Sequence, residues 1–120
     1  MLEKSQIYVP NYLPEDIKEK LEEFVKRLID KLQVKNVLLF GSYAKGDWLK
    51  DSDLDLIIIS DIFEGMDIGE RYKSVKKLAP QGIGLEALTY TSKEFEKIKN
   101  KSIIIMDALS YAINLFKKSE

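Results

Sequence analysis

The stretch "LFGSYAKGDWLKDSDLDLIIIS" runs from Leu39 to Ser60, and its two halves decide how the rest of the chain is read. Leu54 to Ile59 is the most apolar run in the chain, yet Asp55 lies inside it and Asp53 just before it. In an extended strand, residues two apart project from the same face, about 6.6 Å apart along the chain. Asp53 and Asp55 are therefore expected side by side. Two unpaired carboxylates there would repel each other and lose hydration, unless a cation neutralises them. For the pair taken alone, a solvated loop holding both aspartates, with the strand opening at Leu54, is the plainer alternative.

The first half changes that balance. Gly41 stops the apolar run Asn36 to Phe40, and Ser42 to Lys45 can form a short helix before Gly46. Glycine lets a phosphate approach the backbone, the N–H groups that open a helix favour anions, and Ser42 adds a hydroxyl. The spacing is neither G-x-x-x-x-G-K-[ST] nor G-x-G-x-x-G, and Gly82-Ile83-Gly84 reads as turn chemistry. A phosphate cradle ending one strand and paired carboxylates starting the next would set a triphosphate against divalent metal. With no histidine or cysteine to help, oxygen ligands point to Mg²⁺ or Mn²⁺.

The flanking elements give the architecture. Pro14, Glu15 and Asp16 open a helix whose apolar residues Ile17, Leu21, Phe24, Val25, Leu28, Ile29 and Leu32 recur at helical spacing. Strands are expected over Asn36–Phe40, Leu54–Ser60 and Gly84–Tyr90, and helices over Asp67–Leu78 and Thr91–Lys99, the latter with a capping box from Thr91 to Glu94. A last helix, capped by Ser102, is expected over residues 102–118. Helices alternating with short apolar strands indicate an α/β fold, a small mixed β-sheet covered by helices. The expected organisation is one domain over residues 1–120, with an extended N-terminal segment over 1–13.

Composition excludes several chemistries. Without histidine or cysteine, a Ser-His-Asp triad, a thiol nucleophile and a zinc site of N or S ligands are all out. Net charge is −1, with 19 basic and 20 acidic residues mixed along the chain, so no strong nucleic-acid signal is present. No apolar stretch approaches the ~18 residues of a membrane span. The N-terminus does not read as a signal peptide, so the expected location is cytoplasmic. Abundant Lys, Glu and Ile hint at a thermophile.

"GSYAKG…DSDLDL" resembles the G-S-x-A-x-G…S-D-x-D-[LIV] signature of the DNA polymerase β-type nucleotidyltransferases. The order of elements, across roughly Val34 to Glu94, is similar to the minimal nucleotidyltransferase (MNT) branch. The resemblance implies a polymerase β-like palm fold, with Gly41, Ser42, Lys45 and Ser52 at the nucleotide and Asp53 and Asp55 ligating two Mg²⁺ ions. It also implies a third catalytic carboxylate from a neighbouring strand. Glu86 is the candidate, because it interrupts an apolar strand and adjacent strands lie about 4.8 Å apart; a solvated edge acid is the alternative. Two departures stand out. Glu86 replaces an aspartate common in the family, and Tyr43 and Lys45 stand where many relatives carry arginine. Lys45 offers a point charge rather than a fork, or is simply solvated. Lys73, Lys76 and Lys77 read as a solvated face.

The expected activity is transfer of a nucleoside monophosphate, AMP from ATP, to a hydroxyl on protein or RNA, with release of pyrophosphate. Minimal members of the family are often paired with a small helical HEPN protein, so an antitoxin of a HEPN/MNT pair is the context implied. The competing expectation is a non-catalytic module that neutralises such a partner by contact; a metal-dependent nuclease is weaker, because it leaves the glycine-serine turn unexplained. Ile103 to Met106 cover about 300° of a helix circumference at ~100° per residue. Part of that run should stay exposed, marking a homodimer or partner interface. Finally, Gly41→Val is expected to harm nucleotide binding more than the metal site.

Overall fold

A computed structural model describes residues 6–119 of the chain. Helix α1 (Glu15–Leu32) is followed by β1 (Asn36–Phe40), the short α2 (Gly41–Lys45) and β2 (Leu54–Ile59). A 3-10 turn at Asp61–Phe63 leads to α3 (Ile68–Lys76), β3 (Leu85–Tyr90), α4 (Ser92–Ile98), α5 (Ile103–Leu109) and β4 (Ile113–Lys117). Among the described residues, four strands form one mixed sheet in the order β3-β2-β1-β4. β1 runs antiparallel to both β2 and β4, and β2 runs parallel to β3. The parallel pair is joined through α3, as a crossover connection requires.

Each face of the sheet has its own core. Leu21, Phe24, Val25 and Leu28 of α1 pack with Val75 of α3 on Val37, Leu39, Leu56 and Ile58. On the other face Ile105 and Ala108 of α5, with Phe95 and Ile98 of α4, pack on Leu38, Ile57 and Ile59. Burial on both faces is why β2 reads as a continuous apolar run rather than an alternating one. That run ends at Ser60, a buried hydroxyl that donates to the Leu32 carbonyl (2.6 Å) and caps the 3-10 turn.

Strand β3 is an edge, and α3 and α4 hold it in place. Buried Arg71 donates to the carbonyls of Met66 (2.9 Å) and Thr89 (3.3 Å) and forms a two-pronged pair with Glu94 (2.7 and 3.0 Å). Tyr72 donates to the Leu85 carbonyl (3.2 Å). Outward carbonyls of an edge strand are thereby capped by side chains instead of a further strand.

The C-terminal expectation needs correction. Residues 102–118 are not one helix: α5 ends at Leu109, and after a turn at Ser110–Ala112 the chain pairs with β1 as β4. Ser102 caps α5 as expected, accepting from the Ile105 N–H. The physical reason for the break is β1, whose second edge would otherwise lie open; Leu115 and Phe116 bury themselves by closing it. Of the N-terminal segment 1–13, residues 1–5 lie outside the described residues. Its later part reaches the sheet edge, where the Tyr8 N–H donates to the Leu115 carbonyl (2.8 Å).

Candidate active site

Asp55 is the second residue of β2, and its register places it between two strands. It pairs with Phe40 at the end of β1 and with Glu86 of β3. Directly paired residues of adjacent strands share a face, so Asp55 and Glu86 project together. The Asp55 carboxyl is half-buried and hydrogen-bonds the Glu86 carboxylate. Burial, that hydrogen bond, the Glu86 charge and the Asp53 charge push the Asp55 carboxyl up to about 7. The two carboxyl groups are thus close enough to disfavour a second negative charge at the pair.

Asp53 is exposed and precedes β2 on the same side. It lies close enough for its charge to reach Asp55, but its own carboxylate rests over Gly84. Among the described residues no three acidic side chains converge tightly enough to form a ready metal cluster. The structure therefore brings Asp55 and Glu86 together and leaves Asp53 beside them. The donors are hard carboxylate oxygens whose charges repel each other across the pair, a set that suits Mg²⁺ or Mn²⁺.

Two glycines make room for these carboxylates. Gly41 has φ +74°, and a side-chain carbon there would overlap the Asp55 carboxylate. One on Gly84 would overlap the Asp53 carboxylate. A side chain at Gly41 would therefore reach Asp55 as well as the turn: Gly41 is the floor under Asp55 and the start of α2. Gly84, read from sequence as turn chemistry, is a site residue that the reading missed.

The turn itself is braced. Tyr12 donates its hydroxyl to the Tyr43 (3.0 Å) and Ala44 (2.7 Å) carbonyls of α2. Trp48 stacks between the Tyr12 and Tyr43 rings at 6.1 and 5.5 Å. Ser42 lies half-buried in the first turn of α2, and Lys45 is exposed with its ammonium 4.9 Å from the Tyr111 ring centre. The Tyr111 hydroxyl accepts from the Gly41 N–H (3.0 Å). Ser52 spends its hydroxyl locally, accepting from the Leu49 N–H (2.7 Å), which closes the loop ahead of Asp53. Asp61, which shares the parity of Asp55, is at the far end of β2, paired with Lys35 (2.8 Å). A polar cleft of about 270 Å³ lined by Asp16, Lys20, Lys50, Ser52 and Gly84 adjoins the site. The larger groove, about 810 Å³, lies between α3 and α4 over Tyr90 and Ile98, away from the carboxylates. Volume alone would pick that groove, but its acids are engaged in structure: Asp67 caps α3 and Glu94 pairs with Arg71.

Residues 18–113 match the family of the nucleotidyltransferase domain. The chain belongs to that family. A relative from Methanocaldococcus jannaschii, provisionally named a protein adenylyltransferase, is 33% identical over 84 residues, covering 68% of this chain and 81% of the relative. A second from the same organism, with the same provisional name, is 46% identical over 46 residues, 38% of this chain and 46% of its own length. Among solved structures, a nucleotidyltransferase of Sulfolobus solfataricus superposes with a TM-score of 0.54 at 17% identity, covering 88% of this chain and 90% of the other. A toxin–antitoxin complex solved with AMP-PNP superposes with 0.58 at 17% identity, over 80% and 73% of the two chains. A mutant of the MntA–HpeT toxin–antitoxin complex gives 0.59 at 17% identity, over 89% and 76%. These likenesses establish the polymerase β-like nucleotidyltransferase fold expected from the signature. No helix among the described residues is long and apolar enough to cross a membrane.

Proposed function

We propose that this nucleotidyltransferase is a divalent-metal-dependent adenylyltransferase that moves AMP from ATP to a hydroxyl on a protein and releases pyrophosphate. The observation that carries the reading is the Asp55–Glu86 carboxyl pair, set against the Gly41 turn with Asp53 beside it. Asp53, Asp55 and Glu86 would hold Mg²⁺, or Mn²⁺ in its place. The ions would supply charge neutralisation at the triphosphate and a lowered pKa at the acceptor hydroxyl. The chain's own part is to position and to move a proton. Gly41 lets phosphate approach the backbone closely, and Ser42 and Lys45 add a hydroxyl and a point charge. Glu86, exposed on β3, is reachable by an incoming hydroxyl and can take its proton once Asp55 is ionised. Ser52 acts through the loop that it closes, which fixes where Asp53 enters the strand.

A protein acceptor is supported by the provisional names of the M. jannaschii relatives, and an antitoxin role by the toxin–antitoxin structures that share the fold; a HEPN-type toxin as acceptor is what the family resemblance implies. A second reading, neutralisation of such a partner by contact alone, is favoured by the exposed Ile103, Ile104 and Met106 of α5. Incubation with Mg²⁺ and α-labelled ATP, with and without a HEPN-type protein, separates the two. Label on the protein supports transfer; complex formation with no label at any metal concentration rejects it. Label on RNA alone would move the acceptor class.

A further inference from the structure

Tyr111 lies in the turn between α5 and β4, yet its hydroxyl reaches the Gly41 N–H and its ring the Lys45 ammonium. The hydroxyl accepts from the Gly41 N–H at 3.0 Å, and the ring supports the Lys45 ammonium at 4.9 Å. Gly41 in turn is packed under Asp55. One phenolic oxygen therefore sits at the junction of the turn and the carboxylate pair. A tyrosine hydroxyl that accepts one bond still has its own proton to give. Among the described residues that proton has no acceptor, and Tyr111 is half-buried.

We propose that Tyr111 is a nucleotide-binding residue whose hydroxyl, held by the Gly41 N–H, donates its own proton to a phosphate oxygen of the bound triphosphate. The hydrogen bond from Gly41 orients the phenol and makes it a better donor, since bonds in a chain polarise one another. The ring meanwhile holds Lys45 at the same anion, in a contact of the cation–π kind. This inference rests on the nucleotidyl-transfer reading above, and its test separates the two.

The test measures the affinities of the full chain and of Tyr111→Phe for Mg·ATP, for magnesium tripolyphosphate and for Mn²⁺ alone, by titration calorimetry. Phenylalanine keeps the ring over which Lys45 lies and removes only the hydroxyl. Loss of one hydrogen bond to a charged group predicts binding about tenfold weaker for both anions. Mn²⁺ affinity stays unchanged, because the carboxylates are untouched. A purely structural role would lower Mn²⁺ and anion affinity in parallel, and that result overturns the proposal. Unchanged anion affinity in Tyr111→Phe, with a wild type that binds normally, overturns it alone. A wild type that binds neither anion overturns the nucleotidyl-transfer reading and this inference together.

Discussion

Asp55 and Glu86 stand opposite each other across the parallel β2–β3 pair, with their carboxyl groups joined by a hydrogen bond. Burial, together with the two neighbouring acids, pushes the Asp55 carboxyl up to about 7. The sign follows from the shift. The folded carboxyl holds its proton more tightly than the ordinary value of 3.8, so its contribution to stability is present at low pH and is lost as pH rises towards and past 7. At pH 8 in a chelator, the double variant Asp53→Asn with Asp55→Asn should melt at or above the wild-type temperature. Millimolar Mn²⁺ should then raise the wild-type Tm and leave the variant unmoved. Equal Mn²⁺ stabilisation of both proteins would show that the metal binds elsewhere.

The two glycines predict a paired defect. Gly41→Ala places a carbon in the Asp55 carboxylate and forces an L side chain to φ +74°. Backbone strain of that kind costs about 1–2 kcal/mol. If the proposed transfer reading holds, displacing the Asp55 carboxylate by about 1 Å should lower transfer on the order of a hundredfold. Gly84→Ala strikes Asp53 instead, with no left-handed backbone to strain, so it should weaken Mn²⁺ binding with a smaller change in Tm. Calorimetry finding wild-type Mn²⁺ affinity in both variants would detach the glycines from the metal site.

Arg71 and Glu94 give a pH dependence far from the chemistry. The Arg71 hydrogen bonds, then the Thr91 amide, lower the Glu94 carboxyl from 4.5 to about 2. Its stabilising contribution is full above about 4.5 and is lost as pH falls towards 2. Glu94→Gln keeps an acceptor for the Thr91 cap and removes the charge. Because Glu94 is 44% exposed in its side chain, screening limits the loss to about 1 kcal/mol at neutral pH. That is about 4 °C in Tm for a domain of this size. The difference from wild type should vanish near pH 2. A gap that persists undiminished in acid would mean that charge is not its source.

Much of the candidate site's layout was legible because its parts are local. The Gly41–Lys45 turn and the Asp53–Asp55 spacing are both contained in one stretch, and the strand limits Asn36–Phe40 follow from an apolar run stopped by glycine. Glu86 was legible as an acid breaking an apolar strand, and its register opposite Asp55 agrees. Gly84 and Tyr111 were not, since their roles come from packing across the sheet: Gly84 lies beneath a side chain 31 positions away in sequence, and Tyr111 reaches Gly41 across 70. The C-terminal strand was hidden by continuity. Ala108, Leu109, Ala112, Ile113 and Phe116 fit a helical stripe, and no proline or glycine interrupts Ser102–Lys118. The available signal was Ile113-Asn114-Leu115, an apolar–polar alternation that strand pairing with β1 explains.

The last prediction concerns the outer face of α5. Ile105, 2% exposed, and Ala108 pack onto the sheet, while Ile103 (82%), Ile104 (71%) and Met106 (51%) remain in solvent. An eight-residue span of α5 and its cap can turn only one face inward, so three large apolar side chains are left side by side. A patch of this kind marks an association surface. Ile104→Glu should therefore keep the wild-type Tm and far-ultraviolet spectrum while it abolishes self-association or capture of a helical partner. Ile105→Ala is the internal contrast: it should cost about 2–5 kcal/mol through the cavity that it leaves, without a specific effect on association in the fraction that folds. Sedimentation would decide the matter. A wild-type chain that stays monomeric at high concentration, and that copurifies with no partner from its own host, would show that the α5 face is solvated surface and nothing more.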